Sequence, residues 1–382
     1  MFPQITESLA PVSAEQWNRL RGPDHNPFLR HEFLFGLEKT GCTSPAHGWS
    51  GQHVLLWEKP GNGGNLLGAV PMYRKAHSWG EYVFDHEWAR AWQRAGFLYY
   101  PKLSVCVPFT PATGPRLLIR NPQDADAVRQ RLIKAAIDHA RALGVSSLHW
   151  LFTDEADTQA LETAGLLRRT GFQYHWRNRG FADFDDFLAS LSSKKRKNIR
   201  RERRRVAESG VTITRINGAE MTDARWQQFF AFYLDTIDTH GAMPYLNLEF
   251  FRHLGQTMAD DCFVIFAENK GRTVAGALFL QGADTLYGRY WGCAADFHSL
   301  HFELCYYQAI EYCINNGLRR FEAGAQGHHK LARGLEATPI WSAHWIADPG
   351  FRRAIAGFLE AESHGVEQDM QWLGQRSPYK SA

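Results

Sequence analysis

The sequence is poor in cysteine, and its few cysteines are scattered. They are Cys42, Cys106, Cys262, Cys293, Cys305 and Cys313, with no CxxC pair among them. That excludes a disulfide scaffold and a zinc ribbon, and it reads as buried free thiols in a reducing compartment. Long apolar runs are missing as well. Nowhere do ~18 apolar residues follow one another, so no membrane-spanning helix is expected. The opening, MFPQITESLAPVSAEQW, has neither the basic start nor the apolar core of a secretory signal. The expectation is a cytoplasmic protein that is not an integral membrane protein. No zinc-finger, homeodomain or RNP signature occurs, which excludes the familiar sequence-specific readers of nucleic acid. Nor is there a large excess of either charge, with 43 Lys and Arg against 40 Asp and Glu.

What is present suits a two-core globular protein. A chain of 382 residues is long for one core. The hydrophobic share of 44% and the charged share of 22% are ordinary. Thirteen Trp and 25 Phe suit large cores and long clefts.

The charge is unevenly placed. The stretch SSKKRKNIRRERRR, residues 192–205, holds nine Lys or Arg and one Glu, nine minus one giving +8. The whole chain is +3, so the remainder is 3 − 8, or −5. Three readings fit: a nucleic-acid arm, one wall of a site for a phosphate-rich ligand, or a solvated helix face. Asp183 is a good N-cap, and Phe184, Phe187, Leu188, Leu191, Ile199 and Val206 recur at helical spacing before Gly210. The basic run is therefore expected to form the second half of an amphipathic helix or helix pair, with its charges outward.

An internal repeat organises the rest. Residues 136–148, AIDHARALGVSSL, and 309–321, AIEYCINNGLRRF, match at a constant offset of 173. Each parses as a helix ended by Gly144 or Gly317, followed by a short strand. Strand candidates 53–58, 65–76 and 103–109 precede the first copy, and 262–268, 273–281 and 285–292 precede the second. Each leading pair looks like a hairpin with a Gly/Asn-rich turn. A further strand follows each copy, LLRRTGFQYHW in one and IWSAHWI in the other. The fold expected is α+β with mixed sheets occurring twice. The boundaries expected are a first domain at 1–180, a basic helical segment at 181–210, a second domain at 211–370 and a tail at 371–382.

Hairpin, helix and strand in this order resemble the GNAT acyltransferase core. Two such modules, the second opened by a basic helix, resemble the FemAB-like N-acyltransferases, in particular the bacterial peptidoglycan biosynthesis or recognition branch. The segments that carry the resemblance are NPFLRHEFLFGLEKTG (26–41), YYPKLSVCVPFTPATGPRLL (99–118), SSKKRKNIRRERRR and FEAGAQGHHKLARGL (321–335). One departure stands out: where the branch has QGEHK this chain has QGHHK, so His328 replaces an acid. The resemblance implies tandem GNAT-like domains. It also implies transfer of an acyl or aminoacyl group to an amine of a peptide-like or cell-wall-precursor acceptor.

Such chemistry needs a base to deprotonate an amine whose pKa is near ~10.4, and donors to hold an oxyanion. The loop after Phe321 is the richest place for it. Glu322 is the first candidate for the base and His329 the second. Gln326, His328, Lys330 and Arg333 are candidates to bind substrate, and Gly324, Gly327 and Gly334 would let backbone approach a ligand. An ordinary solvated surface loop is the alternative. His328 and His329 on an extended segment point opposite ways, and no further ligand lies at metal spacing, so no metal site is expected.

In TLYGRYWG, alternation puts Tyr287, Arg289 and Trp291 on one face and Gly288, Tyr290 and Gly292 on the other. Tyr290 could donate a proton or orient an acceptor, unless it is a core aromatic. Arg289 and Trp291 are further substrate-binding candidates. In the first module VPFTPATGP (107–115) is expected to line a cleft, with Arg74 and Arg116 adding charge, and His149 and Asp154 leave a catalytic role open there.

The glycine loop that cradles the CoA pyrophosphate in GNAT proteins is absent from GCAADFHSLHFELCYY. Aminoacyl-tRNA therefore gains over acyl-CoA as donor, and no tightly bound cofactor is expected. Lys194, Lys195, Arg196, Lys197, Arg200, Arg201 and Arg204 would then contact the donor's phosphates. Two other functions fit the same residues. One is a non-catalytic, degenerate-GNAT protein that recognises peptidoglycan fragments or RNA. The other is an acyl-CoA-dependent N-acetyltransferase. The oligomeric state is not readable from the sequence.

Overall fold

The computed structural model describes residues 1–380 except 23, 24, 62, 240, 295, 296 and 326. The chain forms two compact units, each built from two stretches: residues 1–172 with 339–368, and residues 173–338 with 369–382.

In the first unit the strands His53–Lys59 and Gly63–Val70 form the expected hairpin. Phe2–Thr6 and Leu118–Ile119 complete a four-stranded sheet around it. The stretch 65–76, expected as one strand, is two. Pro71, which has no N–H to give a ladder, stands between Gly63–Val70 and Met72–Lys75. Met72–Lys75 belongs to a second sheet, antiparallel to Trp49–Gly51 and to Lys102–Val105. Lys102–Val105 then pairs parallel with Ser147–Thr153, whose other edge takes up residues 341–346 in antiparallel fashion. The helix Ala125–Leu143 lies on this unit's core through Leu132, Ile133, Ala136, Ile137 and Ala140, a helical stripe, and ends at Gly144 with φ 63°.

The second unit repeats the plan. Val211–Asn217, Cys262–Asn269, Arg272–Gln281 and Thr285–Cys293 are successively antiparallel. Lys270 and Gly271, both at positive φ, make the tight turn of the central hairpin. A helix, Gln308–Asn315, is followed by Gly317 at φ 65°. Arg320–Glu322 then lies parallel to Thr285–Cys293, and residues 175–177 run antiparallel on its other edge.

The last strand of each repeat was expected beside its own copy, but the two strands are exchanged. LLRRTGFQYHW supplies residues 175–177 to the second unit, and IWSAHWI supplies its strand to the first. Periodicity marks a strand but carries no information about which edge will accept it.

The basic run is the second member of a helix pair, Phe184–Ser190 and Ser193–Glu208. Asp183 caps the first by accepting from Asp186 N at 2.8 Å. The break falls at Leu191 and Ser192, where Ser192 N donates to Pro378 O at 2.9 Å and Leu191 bridges to Tyr379.

Candidate functional site

The strands Thr285–Cys293 and Arg320–Glu322 stay paired only over Thr285, Leu286 and Tyr287. Beyond Tyr287 the longer strand keeps only its pairing with Arg272–Gln281, and the gap on its other edge opens into a pocket of about 110 Å³ in the second unit. Gly288, Arg289, Tyr290 and Trp291 line one side, Ala323 another, and His301, Cys305 and Tyr306 close it. Cys305 and Tyr306 lie on a π-helical turn, Glu303–Tyr307, set between the short helix Leu300–Phe302 and Gln308–Asn315. A π turn widens a helix and swings side chains out of the regular register.

The alternation expected along TLYGRYWG does not hold. Leu278 faces Tyr290 while Phe279 faces Gly288, so Arg289 is an extra residue in a β-bulge. One inserted residue reverses the faces beyond it. Tyr290 therefore shares a face with Tyr287, and Trp291 shares one with Gly288. Tyr290 packs edge-on to Tyr233 at 5.2 Å and near Phe251 at 6.1 Å, and the Arg289 guanidinium lies 5.2 Å from its ring centre. Trp291 is 5.2 Å from His301.

Glu322 is 3% exposed. Its carboxylate lies 3.3 Å from Arg320 Nε and 4.0 Å from His175 Nε2. Burial, then Arg320 and Arg177, hold the His175 pKa down to about 3, so this imidazole is neutral at pH 7. The residue after Glu322, Ala323, reaches the pocket.

The loop beyond is a 3₁₀ turn, His328–Arg333, rather than an extended segment. His328 and His329 still diverge, because successive side chains on a 3₁₀ helix are about 120° apart. His328 Nδ1 meets Tyr174 Oη at 3.0 Å, and His329 Nε2 meets Tyr306 Oη at 2.8 Å. His329 is exposed. Its pKa is lowered by partial burial and by Arg333 and Lys330, which leaves it a neutral base. Lys330 is 2% exposed, donates to Gly324 O at 2.8 Å, and is brought down to about 8 by burial. Arg333 donates to His329 O at 2.9 Å, stacks 3.3 Å from the Phe302 ring centre, and holds both oxygens of Glu202 at 3.0 Å.

Two of the three loop glycines serve packing within the unit. A side chain on Gly327 would strike the His329 ring, and one on Gly334 the Phe187 ring, while Gly324 has open space. Gln326 lies outside the described residues.

On the basic helix, Ile199, Glu202, Arg203 and Val206 form the inward stripe. Lys194, Lys197, Arg200, Arg201 and Arg204 are exposed, and Lys195 and Arg196 are half-buried. Arg200 reaches Asp185 at 3.2 Å and Arg204 reaches Glu208 at 3.9 Å, both in solvent. Such exposed pairs contribute little and leave the face strongly positive.

The first unit treats the equivalent gap differently. Lys102–Val105 and Ser147–Thr153 pair over Leu103, Ser104 and Val105, and the returning loop then fills the space between them. Gly114 bridges to Thr153, and its N donates to Phe152 O at 3.1 Å. Arg116 does not add charge to a cleft, as the sequence suggested. It is fully buried, and its guanidinium donates to the carbonyls of Leu151, Ala112, Gly114 and Pro115. Arg74 is exposed on its strand.

Beside this closed gap lies a buried ionic network, of which the sequence pointed only to His149. Lys102 Nζ donates to Glu81 and Ser78 at 2.7 Å and to Asp85. Tyr99 Oη donates to Asp85 at 2.6 Å and stands 3.1 Å from His149 Nε2. His149 Nδ1 is 2.7 Å from His344 Nδ1, and Ser342 Oγ is 3.0 Å from His344 Nε2. Asp85 only accepts, so Tyr99 must donate to it. His149 Nε2 also meets Ser147 Oγ at 2.8 Å, and one of the two facing Nδ1 atoms of His149 and His344 carries the proton that joins them. Burial and Lys102 lower the His149 pKa to about 3. His149 and Glu322 are separated by the repeat offset of 173, and each faces a histidine across the next strand, His344 and His175 respectively. Lys75 and Lys102 interrupting apolar strand segments were the available sequence signal for this network. His301, Tyr306 and Cys305 gave no such signal, since single polar residues in a helix are common.

A larger hollow of about 820 Å³ in the first unit runs between the helices Ala125–Leu143 and Glu155–Thr163. Its rim charges pair with one another, Lys134 and Arg141 with Asp138 and Arg129 with Asp126. It brings no acid–base pair to an open strand edge, so the smaller pocket is the better candidate site. Among the described residues no group of three or more His, Cys, Asp or Glu could hold a metal ion, and no helix is long and apolar enough to cross a membrane.

Comparison with solved structures finds this architecture elsewhere. The crystal structure of FemX aligns over 93% of this chain and all of its own, with TM-score 0.57 and 11% identity. A structure from Agrobacterium fabrum, described as the C-terminal domain of a lysylphosphatidylglycerol synthetase, covers 91% of this chain and 95% of its own, with TM-score 0.54 and 11% identity. A conserved protein of unknown function from Bacteroides thetaiotaomicron covers 91% and 100%, with TM-score 0.52 and 10% identity. At these identities the likeness is one of fold, a mixed α/β fold of two GNAT-like units. No curated protein sequence matches the chain. The model of the FemAB-like family, described as peptidoglycan biosynthesis/recognition, matches residues 8–381. Matched by that model across nearly its whole length, the chain belongs to the FemAB-like family.

Proposed function

We propose that this protein is an N-acyltransferase that moves an acyl or aminoacyl group onto an amine of a peptide-like or cell-wall-precursor acceptor. The observation that carries the proposal is the pocket at the strand gap of the second unit, bordered by Arg289, Tyr290, His301 and Tyr306 and by the residue next to Glu322. Family membership and the FemX-like fold support it.

In this reading the amine nitrogen attacks the donor's carbonyl carbon, and the C–N bond forms as the carbonyl becomes an oxyanion. Collapse expels the carrier oxygen or sulfur. The ammonium proton leaves to a base, and the same proton can return to the departing carrier. His329 has the better access to the reacting group, being exposed, neutral and hydrogen-bonded to the pocket residue Tyr306. Glu322 is buried and would act through a water or by setting the charge of the His175 pair. Tyr290, Arg289 and Trp291 would seat the transferred group, and Lys330 and Arg333 would keep the loop in shape. His328, Gln326 and Arg74 remain candidate acceptor contacts.

The outward face of the basic helix suits the phosphates of an aminoacyl-tRNA donor. Five phosphate contacts would give a salt slope of about −4 to −5 in log affinity against log salt. Acyl-CoA is the competing donor. The test is a donor screen on the purified chain with mass spectrometry of the products, run beside His329→Ala and Glu322→Gln. Product from a charged tRNA or an acyl-CoA, lost in His329→Ala with the fold intact, is the expected result. Ligand binding without acyl product from any donor would instead favour a recognition protein.

A further inference from the structure

We propose that Glu202 is a positioning residue that couples the outward face of the basic helix to the walls of the pocket. The inference rests on the reading of that pocket as the transfer site and of the helix as a polyanion dock. Glu202 is the single acid in residues 192–205. It faces inward, 18% exposed, and three donor contacts converge on it: Arg333 Nη2 at 3.0 Å from both oxygens, and the hydroxyl of Tyr307.

Each of those donors belongs to a wall of the site. Arg333 ends the 3₁₀ turn and holds its first part by donating to His329 O at 2.9 Å. His329 in turn meets the pocket residue Tyr306. Tyr307 sits on the π turn directly after Cys305 and Tyr306, so neighbouring residues of one turn face the basic helix and the pocket. Arg203, next to Glu202, ties the same helical segment at two more points, Glu303 at 3.1 Å and Glu311 at 2.9 Å.

An α-helix moves as a rigid rod, whereas a 3₁₀ turn and a π turn are the weaker parts of a backbone. A polyanion that shifts or braces the outward residues Lys194, Lys197, Arg200, Arg201 and Arg204 therefore acts on the 3₁₀ wall through one carboxylate, and on the π turn through that carboxylate together with Arg203. Charge-assisted hydrogen bonds such as these, with Arg333 Nη2 shared between both oxygens of Glu202, are strong enough to transmit such a shift. By reciprocity, occupancy of the pocket would alter the affinity of the outer face by the same factor.

The test is hydrogen exchange on the full chain, followed in segments 303–307 and 328–333 with and without uncharged tRNA. In the unsubstituted protein tRNA should change exchange in both segments. Glu202→Gln leaves the outward face intact, so tRNA affinity should stay within about twofold, while resting exchange in 328–333 rises by about tenfold or more and the response of 328–333 to tRNA disappears. Arg333→Lys, which keeps the charge but loses the fork, should reproduce the lost response. Lys197→Ala with Arg201→Ala should weaken tRNA binding without raising resting exchange. An undiminished tRNA response in Glu202→Gln, or unchanged resting exchange there, overturns the coupling. Failure of the unsubstituted protein to bind tRNA overturns the dock and the coupling together. Intact coupling with no acyl product from any donor leaves the coupling standing and removes the transfer reading.

Discussion

Both units lay antiparallel strands, a helix ended by glycine, and a strand parallel to the last of them, yet they treat the gap that follows in opposite ways. In the first unit a buried loop fills it, and Arg116 ties four carbonyls together inside. In the second the gap stays open as a pocket edged by a β-bulge and a π turn. The same topology can thus be spent on stability or on a site. The first unit has bulges too, at Leu56–Trp57 and Trp341–Ser342, but the bulge and the π turn of the second stand at a cavity and aim side chains at it. The positions related by the repeat, His149 and Glu322, are both buried against a histidine. Only the latter stands next to an open edge.

The sharpest way to break this comparison is to unplug the filled gap. Arg116→Ala takes the guanidinium from four carbonyls, of which Gly114 O keeps the Asp154 N–H and Pro115 O is only part-buried, and should destabilise the protein by about 3–5 kcal/mol in urea titration. A loss under about 1 kcal/mol would mean that the loop closes the gap without its guanidinium.

Next in size is the buried lysine beside it. Lys75 lies over the Trp49 ring, and burial lowers its pKa from 10.5 to about 7. Between pH 7 and 10.5 the unfolded chain binds the proton that the folded one lacks, so stability should rise with pH across that window, by an amount of order a few kcal/mol. Lys75→Met should flatten the rise, and an unaltered pH profile of Tm would show that Lys75 is not its source.

His149 predicts the acid side. Its folded pKa near 3 sits below the unfolded ~6.5. Its contribution is complete above pH 6.5 and fades as pH falls towards 3, by about 1–4 kcal/mol in all. Chemical denaturation of His149→Gln should show a shallower acid limb than the parent.

The smallest stability effect belongs to the open gap. Ala323→Leu puts bulk into the pocket and should alter stability by less than about 1 kcal/mol, while product formation, once a donor is found, falls by at least about tenfold. A filled pocket with full activity would move the transfer site elsewhere.

Much of the fold was legible because it is written in local terms. Gly144 and Gly317 end their helices at positive φ, where a side chain would be strained, and any helix so ended must turn there. Asp183 caps its helix through an oxygen three residues from its partner. The hairpin turn at Lys270 and Gly271 is equally local. The loop of the candidate site was visible as a density of His, Lys, Arg and Gly, but the division of labour within it was not. Lys330 and Arg333 read as ligand-binding cations, yet their partners are Gly324 and Glu202, one on the far side of a turn and the other more than a hundred residues away. The bulge at Arg289 escaped because register is settled by the partner strand.

The sequence by itself determined where helices stop, which segments are strands, and that one plan occurs twice, since these depend on backbone sterics and on the spacing of apolar side chains. Only the tertiary structure decided which strand completes which unit, which gap is filled, and which way Glu202 faces within its run of cations. Those outcomes depend on burial. An ionic or hydrogen-bonding side chain that loses water must find a partner wherever the fold brings one, and nothing in its neighbours along the chain names that partner.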